Sequence, residues 1–379
     1  MASTPMDIDE PAPPSTATPS LNITRTLGSN LPSTSRVADV ISSFRPTKLF
    51  QRDNLKEGQP PPYIVSIDFD DKGEFCMTSE SDETIQIYNV REGRYDKSLL
   101  SKKYGVKLAK FTHASTGIIY ASTKQNDAIR YLATQDNSFI RYFEGHEGAV
   151  TSIALHPGSD DFISCSLDNT VCLWNLSTKQ CTAKLFLHTP HLTAWDPSGN
   201  VFAVASPAAG SVLLYDYRKI NKAPFGVFDV LKARGPADAD AAFRGWTVLE
   251  FSNDGKHLLL GSRYNGHFLI DAFDGSLKAY LRKPGGGTRR LAVGESDGGT
   301  AESSGDCCFT PDGRYVLSGS KKDVLVWDTM ATPSGNKVLE PVHVLEDKRE
   351  AAVIAYNPCY NMLATADQEL MFWLPDPNA

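Results

Sequence analysis

Three pieces of one stretch decide how the rest of the chain is read: Gly145-His146, then Ser164-Cys165-Ser166-Leu167-Asp168-Asn169-Thr170, then Leu173-Trp174-Asn175. An Asp in a tight turn can accept hydrogen bonds from a His ring. The His can pass polarity on to a Ser, and a buried Trp needs an acceptor for its indole N–H. His146, Ser164, Asp168 and Trp174 have the spacing for one such network, laid over three short strands. A fully satisfied buried network stiffens its surroundings, whereas a half-satisfied one is costly.

Outward from this unit the pattern repeats. First strands recur at Ile64–Phe69, Leu108–Phe111, Val150–Leu155, Leu192–Trp195, Trp246–Phe251, Cys307–Phe309 and Val353–Tyr356. The turns after them carry Pro, Asp or Gly, as in Asp71-Lys72-Gly73, Asp196-Pro197-Ser198-Gly199 and Thr310-Pro311-Asp312-Gly313. These residues suit hairpins, because Pro presets φ and Gly accepts positive φ. Third strands end on Tyr88, Tyr131, Trp174, Tyr215, Ile270, Trp327 and Trp373, in steps of 43, 43, 41, 55, 57 and 46. A period of ~40–45 residues with four short strands per unit is the propeller signature. His146, Ser164, Asp168 and Trp174 match the structural tetrad of the WD repeat. The expected fold is therefore all-β, a seven-bladed WD-repeat β-propeller.

The last unit stops after its third strand, at Phe372-Trp373-Leu374. A missing fourth strand would leave an open edge, which invites aggregation. Phe44-Arg45-Pro46-Thr47-Lys48-Leu49-Phe50 has strand character and is expected to close the ring as the outer strand of blade seven. Pro46 is tolerable there, because an outermost strand needs donors on one side only. The propeller is expected over 43–379, after a disordered tail at 1–42. The first 36 residues of that tail hold 18 Pro, Ser or Thr, too little apolar surface to offset chain entropy.

Composition excludes several function classes. The net charge of −7 argues against specific DNA binding, which needs concentrated positive charge. No apolar run approaches the ~20 residues of a membrane helix, and no secretory leader is evident. Seven cysteines without a C-x-x-C pair read as reduced intracellular thiols. No G-x-S-x-G elbow, P-loop, H-E-x-x-H or G-x-G-x-x-G occurs. His188-Thr189-Pro190-His191 reads as a connecting loop and not as metal ligands. Neighbours Cys307 and Cys308 face opposite sides of a strand and read as packed thiols. The expectation is a protein without catalytic residues, metal or cofactor.

Two long steps in the ruler imply insertions at about 231–244 and 283–304, one entering and one leaving blade five. Both belong to the face that carries the tetrad Asp. Loops on a rigid scaffold are where recognition is usually placed. Arg282, Lys283, Arg289 and Arg290 make the second insertion basic, and Lys102-Lys103 form a smaller basic connector between blades one and two. These six are the candidate partner or phosphopeptide surface, since such cations pair with phosphate or carboxylate. The plainer account of each is a solvated loop.

The run Ser122-Thr123-Lys124-Gln125-Asn126-Asp127-Ala128-Ile129-Arg130-Tyr131-Leu132 is similar to one particular family. So are Asp136-Asn137-Ser138-Phe139-Ile140-Arg141-Tyr142-Phe143-Glu144-Gly145-His146, Phe44-Arg45-Pro46 and Phe162–Asp168. The family is the WD-repeat subunit shared by the COMPASS histone lysine methyltransferase and the mRNA cleavage and polyadenylation factor. The resemblance spans about 43–376 and omits the tail and both insertions. It implies a nuclear, non-catalytic scaffold that holds the methyltransferase catalytic subunit, other COMPASS subunits and cleavage and polyadenylation factor subunits. It also implies a link to the phosphorylated C-terminal repeats of RNA polymerase II. Two rival readings are a ubiquitin-ligase substrate receptor and a phosphoinositide-binding propeller. The second needs a Phe-Arg-Arg-Gly motif, where this chain has Phe243-Arg244-Gly245.

Overall fold

The computed structural model describes residues 36–52, 61–232, 245–284 except 265, and 307–378 except 321 and 348. The described strands form seven sheets. Blade one comprises Ile64–Phe69, Phe75–Glu80, Thr84–Asn89 and Arg94–Leu100, and blade two Lys107–Phe111, Gly117–Ala121, Ile129–Ala133 and Phe139–Phe143. Blade three comprises Val150–Leu155, Asp161–Ser166, Thr170–Asn175 and Ala183–Phe186, and blade four Leu192–Trp195, Val201–Ser206, Ser211–Asp216 and Gly226–Asp229. Each is an antiparallel meander, and the first strand of each unit is the innermost.

Blade seven mixes the two ends of the propeller. Phe44–Phe50 pairs antiparallel with Leu370–Pro375, outside Leu363–Ala366 and Val353–Tyr356. The register shifts between Pro46 and Lys48. The extra residue is Thr47, directly after Pro46, which lacks an N–H.

The described residues begin at 36, within the span expected as tail. Val37–Val40 forms a helical turn and Ile41–Ser43 a 3₁₀ turn. Ile41 and Phe44 are fully buried among Tyr315, Leu345, Tyr356 and Trp373. The apolar side chains of Val40, Ile41 and Phe44 extend the closure inward. Residues 1–35 lie outside the described residues.

Blade five departs from the four-strand rule. Trp246–Phe251, His257–Ser262, Gly266–Asp271 and Leu277–Arg282 are joined by Val338–Leu339, which runs parallel to the outer strand. That short strand belongs to the excursion between Asp323–Asp328 and His343–Glu346 of blade six, whose other strands are Cys307–Phe309 and Tyr315–Gly319. Lys337 Nζ donates to Leu277 O at 2.7 Å, so the excursion clasps blade five.

Neighbouring blades are also stitched through their inner strands. Asp68 accepts from Phe111 N at 2.8 Å, Ser152 from Thr193 N at 3.1 Å and Glu250 from Phe309 N at 3.3 Å. On the opposite face from the tetrad, His113 of blade two bonds Asp71 of blade one at 2.7 Å and His156 O of blade three at 2.9 Å.

Candidate functional site

The structure brings His146, Ser164, Asp168 and Trp174 together. Trp174 Nε1 donates to Ser164 Oγ at 2.8 Å, and that hydroxyl lies 2.7 Å from His146 Nε2. His146 Nδ1 lies 3.1 Å from Asp168 Oδ2. Thr170 is a fifth member: its N–H and hydroxyl donate to Asp168 Oδ1 at 2.9 and 2.6 Å. Glu147 N adds a bond to Oδ2 at 2.9 Å, which ties the connector from blade two to the turn of blade three. Burial alone would raise the Asp168 pKa. The bonds from Thr170, Glu147 and His146 outweigh it and hold the carboxylate at about 2. Burial lowers His146, which favours the neutral ring.

Other blades solve the same problem differently. In blade one Arg52, just beyond the closing strand, takes the place of a His. Its Nη1 donates to Asp82 at 2.6 Å and its Nη2 to Thr84 Oγ1 at 2.9 Å. In blade five the buried His267 reaches across to Ser318 Oγ of blade six at 2.8 Å.

The expected basic surface divides. Arg282 is half-buried and pairs with Glu340 at 3.0 Å. Lys283 is 2% exposed, with Nζ 3.1 Å from Ser318 Oγ, so it is no part of an open surface. Strand alternation is the reason: Leu277–Arg282 sends Arg282 outward and turns the next residue inward. Arg289 and Arg290 lie outside the described residues, as do 233–244 and 285–306 of the two insertions. Lys102 and Lys103 are exposed in the connector between blades one and two.

Beside them stands a residue that the motif search missed. Arg130 is 2% exposed. Its guanidinium carbon lies 3.5 Å from the centroid of the Tyr104 ring, 4.9 Å from Tyr142 and 5.8 Å from Phe139. Nε donates to Ser122 Oγ and Nη2 to Asn126 Oδ1, each at 2.8 Å. Tyr104 O accepts from Thr123 N and Lys124 N at 3.0 and 2.8 Å, which fixes the connector onto the blade-two turn. Gly105 makes that bend possible. Its φ is +73°, and a Cβ there would collide with the Thr123 side chain. The repeat contained the signal: Arg130 precedes Tyr131 as Leu173 precedes Trp174, so a cation occupies a place that is apolar in blade three.

The ring encloses an axial cavity of about 670 Å³, lined in part by Asp68, Lys110, Glu250, Cys308, Ala154 and Ala194. Lys110 Nζ lies 2.8 Å from Asp68 Oδ1. Burial raises Glu250 to about 7, against the opposing pull of Phe309 N–H and Lys110. A folded-state pKa above the unfolded 4.5 means that the native form holds the proton longer. Stability contributed here is therefore present below about 4.5 and lost as pH rises to about 7. Glu250→Gln should raise the melting temperature relative to wild type at pH 8, by about 1–3 kcal/mol of stability, and change it little at pH 5. Melts at both pH values test this; an equal difference at each would overturn it. Among the described residues no group of three His, Cys, Asp or Glu could hold a metal ion. No helix among them is long and apolar enough to cross a membrane.

The family model "WD domain, G-beta repeat" matches residues 137–175 and 302–328. Over 338 residues the chain is 37% identical to "COMPASS component SWD2" of Saccharomyces cerevisiae, covering 88% of this chain and 96% of that protein. It is 31% identical over 367 residues to "Set1 complex component swd2" of Schizosaccharomyces pombe, with 88% and 98% covered. It is 36% identical over 343 residues to "WD repeat-containing protein 82" of Drosophila melanogaster, with 89% and 96% covered.

Proposed function

The chain belongs to the family of COMPASS component SWD2 and Set1 complex component swd2, and from that premise we propose that it is a non-catalytic scaffold subunit of a nuclear COMPASS-type histone methyltransferase complex. The observation that carries this reading is the extent of the likeness, which runs over nearly the whole length of relatives whose names place them in that complex. The fold agrees with the role. A closed disc with connectors fixed at one face can present several surfaces at once without rearranging. Its partners would be the methyltransferase catalytic subunit and the other COMPASS subunits.

The finer reading has two parts. The same disc would also serve the cleavage and polyadenylation factor, and it would couple both assemblies to phosphorylated RNA polymerase II C-terminal repeats. These assignments rest on the resemblance carried by residues 122–146. The tagged full chain, purified from nuclear extract and analysed by mass spectrometry, is expected to bring down the methyltransferase and its companion subunits. Recovery of ubiquitin-ligase adaptors in their place would overturn the scaffold reading. So would liposome flotation dependent on phosphoinositide, without methyltransferase recovery.

A further inference from the structure

Arg130 is a buried cation without a buried anion. Its side chain is 2% exposed, and among the described residues no carboxylate lies within ion-pair distance of it. Nη1 has no hydrogen-bond partner among them, while Nε and Nη2 are satisfied by Ser122 and Asn126. Nη1 is also absent from the nitrogen atoms sealed off from solvent. Lys102 and Lys103 directly precede Tyr104 in the same connector, exposed and without ion pairs among the described residues; Lys103 Nζ lies 5.0 Å from the Tyr104 ring centroid. Lys124, on the neighbouring turn, is already neutralised by Glu83. Burying a charge is expensive unless it is paired. Cation–π contact with three rings offsets part of that cost. It leaves the positive field of three side chains unanswered on one side.

We propose that Arg130, Lys102 and Lys103, framed by Tyr104 and Tyr142, form the pocket for the phosphate of a phosphoserine or phosphothreonine peptide. The inference rests on the reading above that this chain engages a phosphorylated peptide, and it locates the pocket on blade two. A phosphate monoester carries about −1.5 to −2 charge and three acceptor oxygens, which suits a guanidinium edge flanked by two mobile ammonium groups. Single-stranded RNA fits less well, because it binds by stacking bases on free aromatic faces. The Tyr104 face is taken by the guanidinium at 3.5 Å. Tyr142, 38% exposed, is left to pack against the peptide beside the phosphate.

The test is fluorescence anisotropy on the full chain with three probes: an RNA polymerase II C-terminal-repeat peptide carrying phosphoserine, its unphosphorylated twin and a uridine oligonucleotide. Wild type is expected to prefer the phosphorylated peptide at least ~10-fold. The Lys102→Ala/Lys103→Ala variant should lose about tenfold in affinity for it and none for the twin. Arg130→Lys keeps the charge but not the planar edge; it should weaken binding several-fold, with a melt that reports whether the fold is intact. Undiminished phosphopeptide binding by the double variant overturns the pocket but leaves the phosphopeptide reading standing. Equal wild-type binding of both peptides, or tighter binding of the oligonucleotide, overturns both. Methyltransferase co-purification by the double variant is expected to stay at wild-type level, so a failure of the pocket is distinguishable from a failure of the scaffold reading.

Discussion

A chain lacking residues up to Arg52 is expected to lose its cooperative thermal transition and to sediment as aggregate. The segment holds three blades at once. Its backbone supplies the outer ladder of blade seven. Ile41 and Phe44 fill the space between blades six and seven. Phe50 packs 4.7 Å from Tyr88 of blade one and 5.0 Å from Phe372 of blade seven, measured between ring centroids. Arg52 then enters the Asp82–Thr84 turn of blade one. Removal exposes the apolar edge of Leu370–Pro375 and opens the ring, and an unprotected edge is a template for pairing with other chains. Phe44→Ala is the milder version. Truncating a fully buried Phe costs about 3–5 kcal/mol, which lowers the melting temperature of a domain this large by roughly 4–7 °C. A synthetic peptide spanning 36–52 should restore solubility to the truncated chain. A truncated chain that stays monomeric and melts as wild type would show that the seam is ornamental.

The closing strand was legible because three independent signals met in it. The last unit was one strand short, the period required a partner, and Phe44–Phe50 had strand character with a Pro that only an outer edge tolerates. The seven inner strands were legible for a similar reason, since hairpin turns and a repeated aromatic mark them. What the sequence hid was chosen by three-dimensional proximity. Arg52 stands in for a His because the closing strand delivers it to the blade-one turn, and no spacing within one repeat reveals that. Val338–Leu339 is apolar and short, and its parallel pairing crosses between blades. Lys283 read as a surface cation because composition cannot tell which way a strand end turns. Arg130 needed the units to be superposed, since only then does a cation stand where blade three has Leu173.

Asp168→Ala is expected to cost about 2–4 kcal/mol and to loosen blade three locally. The carboxylate collects the N–H groups of Glu147 and Thr170, the Thr170 hydroxyl and the His146 ring. Its side chain is 9% exposed, so water cannot replace it freely. Removing it strands donors on two connectors and frees the His146 ring, which in turn holds the Ser164 hydroxyl that receives the Trp174 indole. The same carboxylate predicts an acid dependence. Its folded-state pKa, about 2, lies below the ordinary 3.8. The stability it contributes is therefore complete above about pH 4 and is lost as pH falls through about 2. Wild type should lose more stability than Asp168→Ala across that window, by roughly 2 kcal/mol, while their difference stays constant from pH 5 to 8. Denaturant melts at pH 2.5, 4 and 7 give the comparison. Amide exchange at Glu147 and Thr170 supplies the local readout, because both N–H groups donate directly to this side chain. If the substitution left melting, acid sensitivity and exchange unaltered, the hydrogen bonds around Asp168 would contribute nothing net. Blade three would then be held by the apolar contacts of Phe143, Phe162 and Trp174 alone.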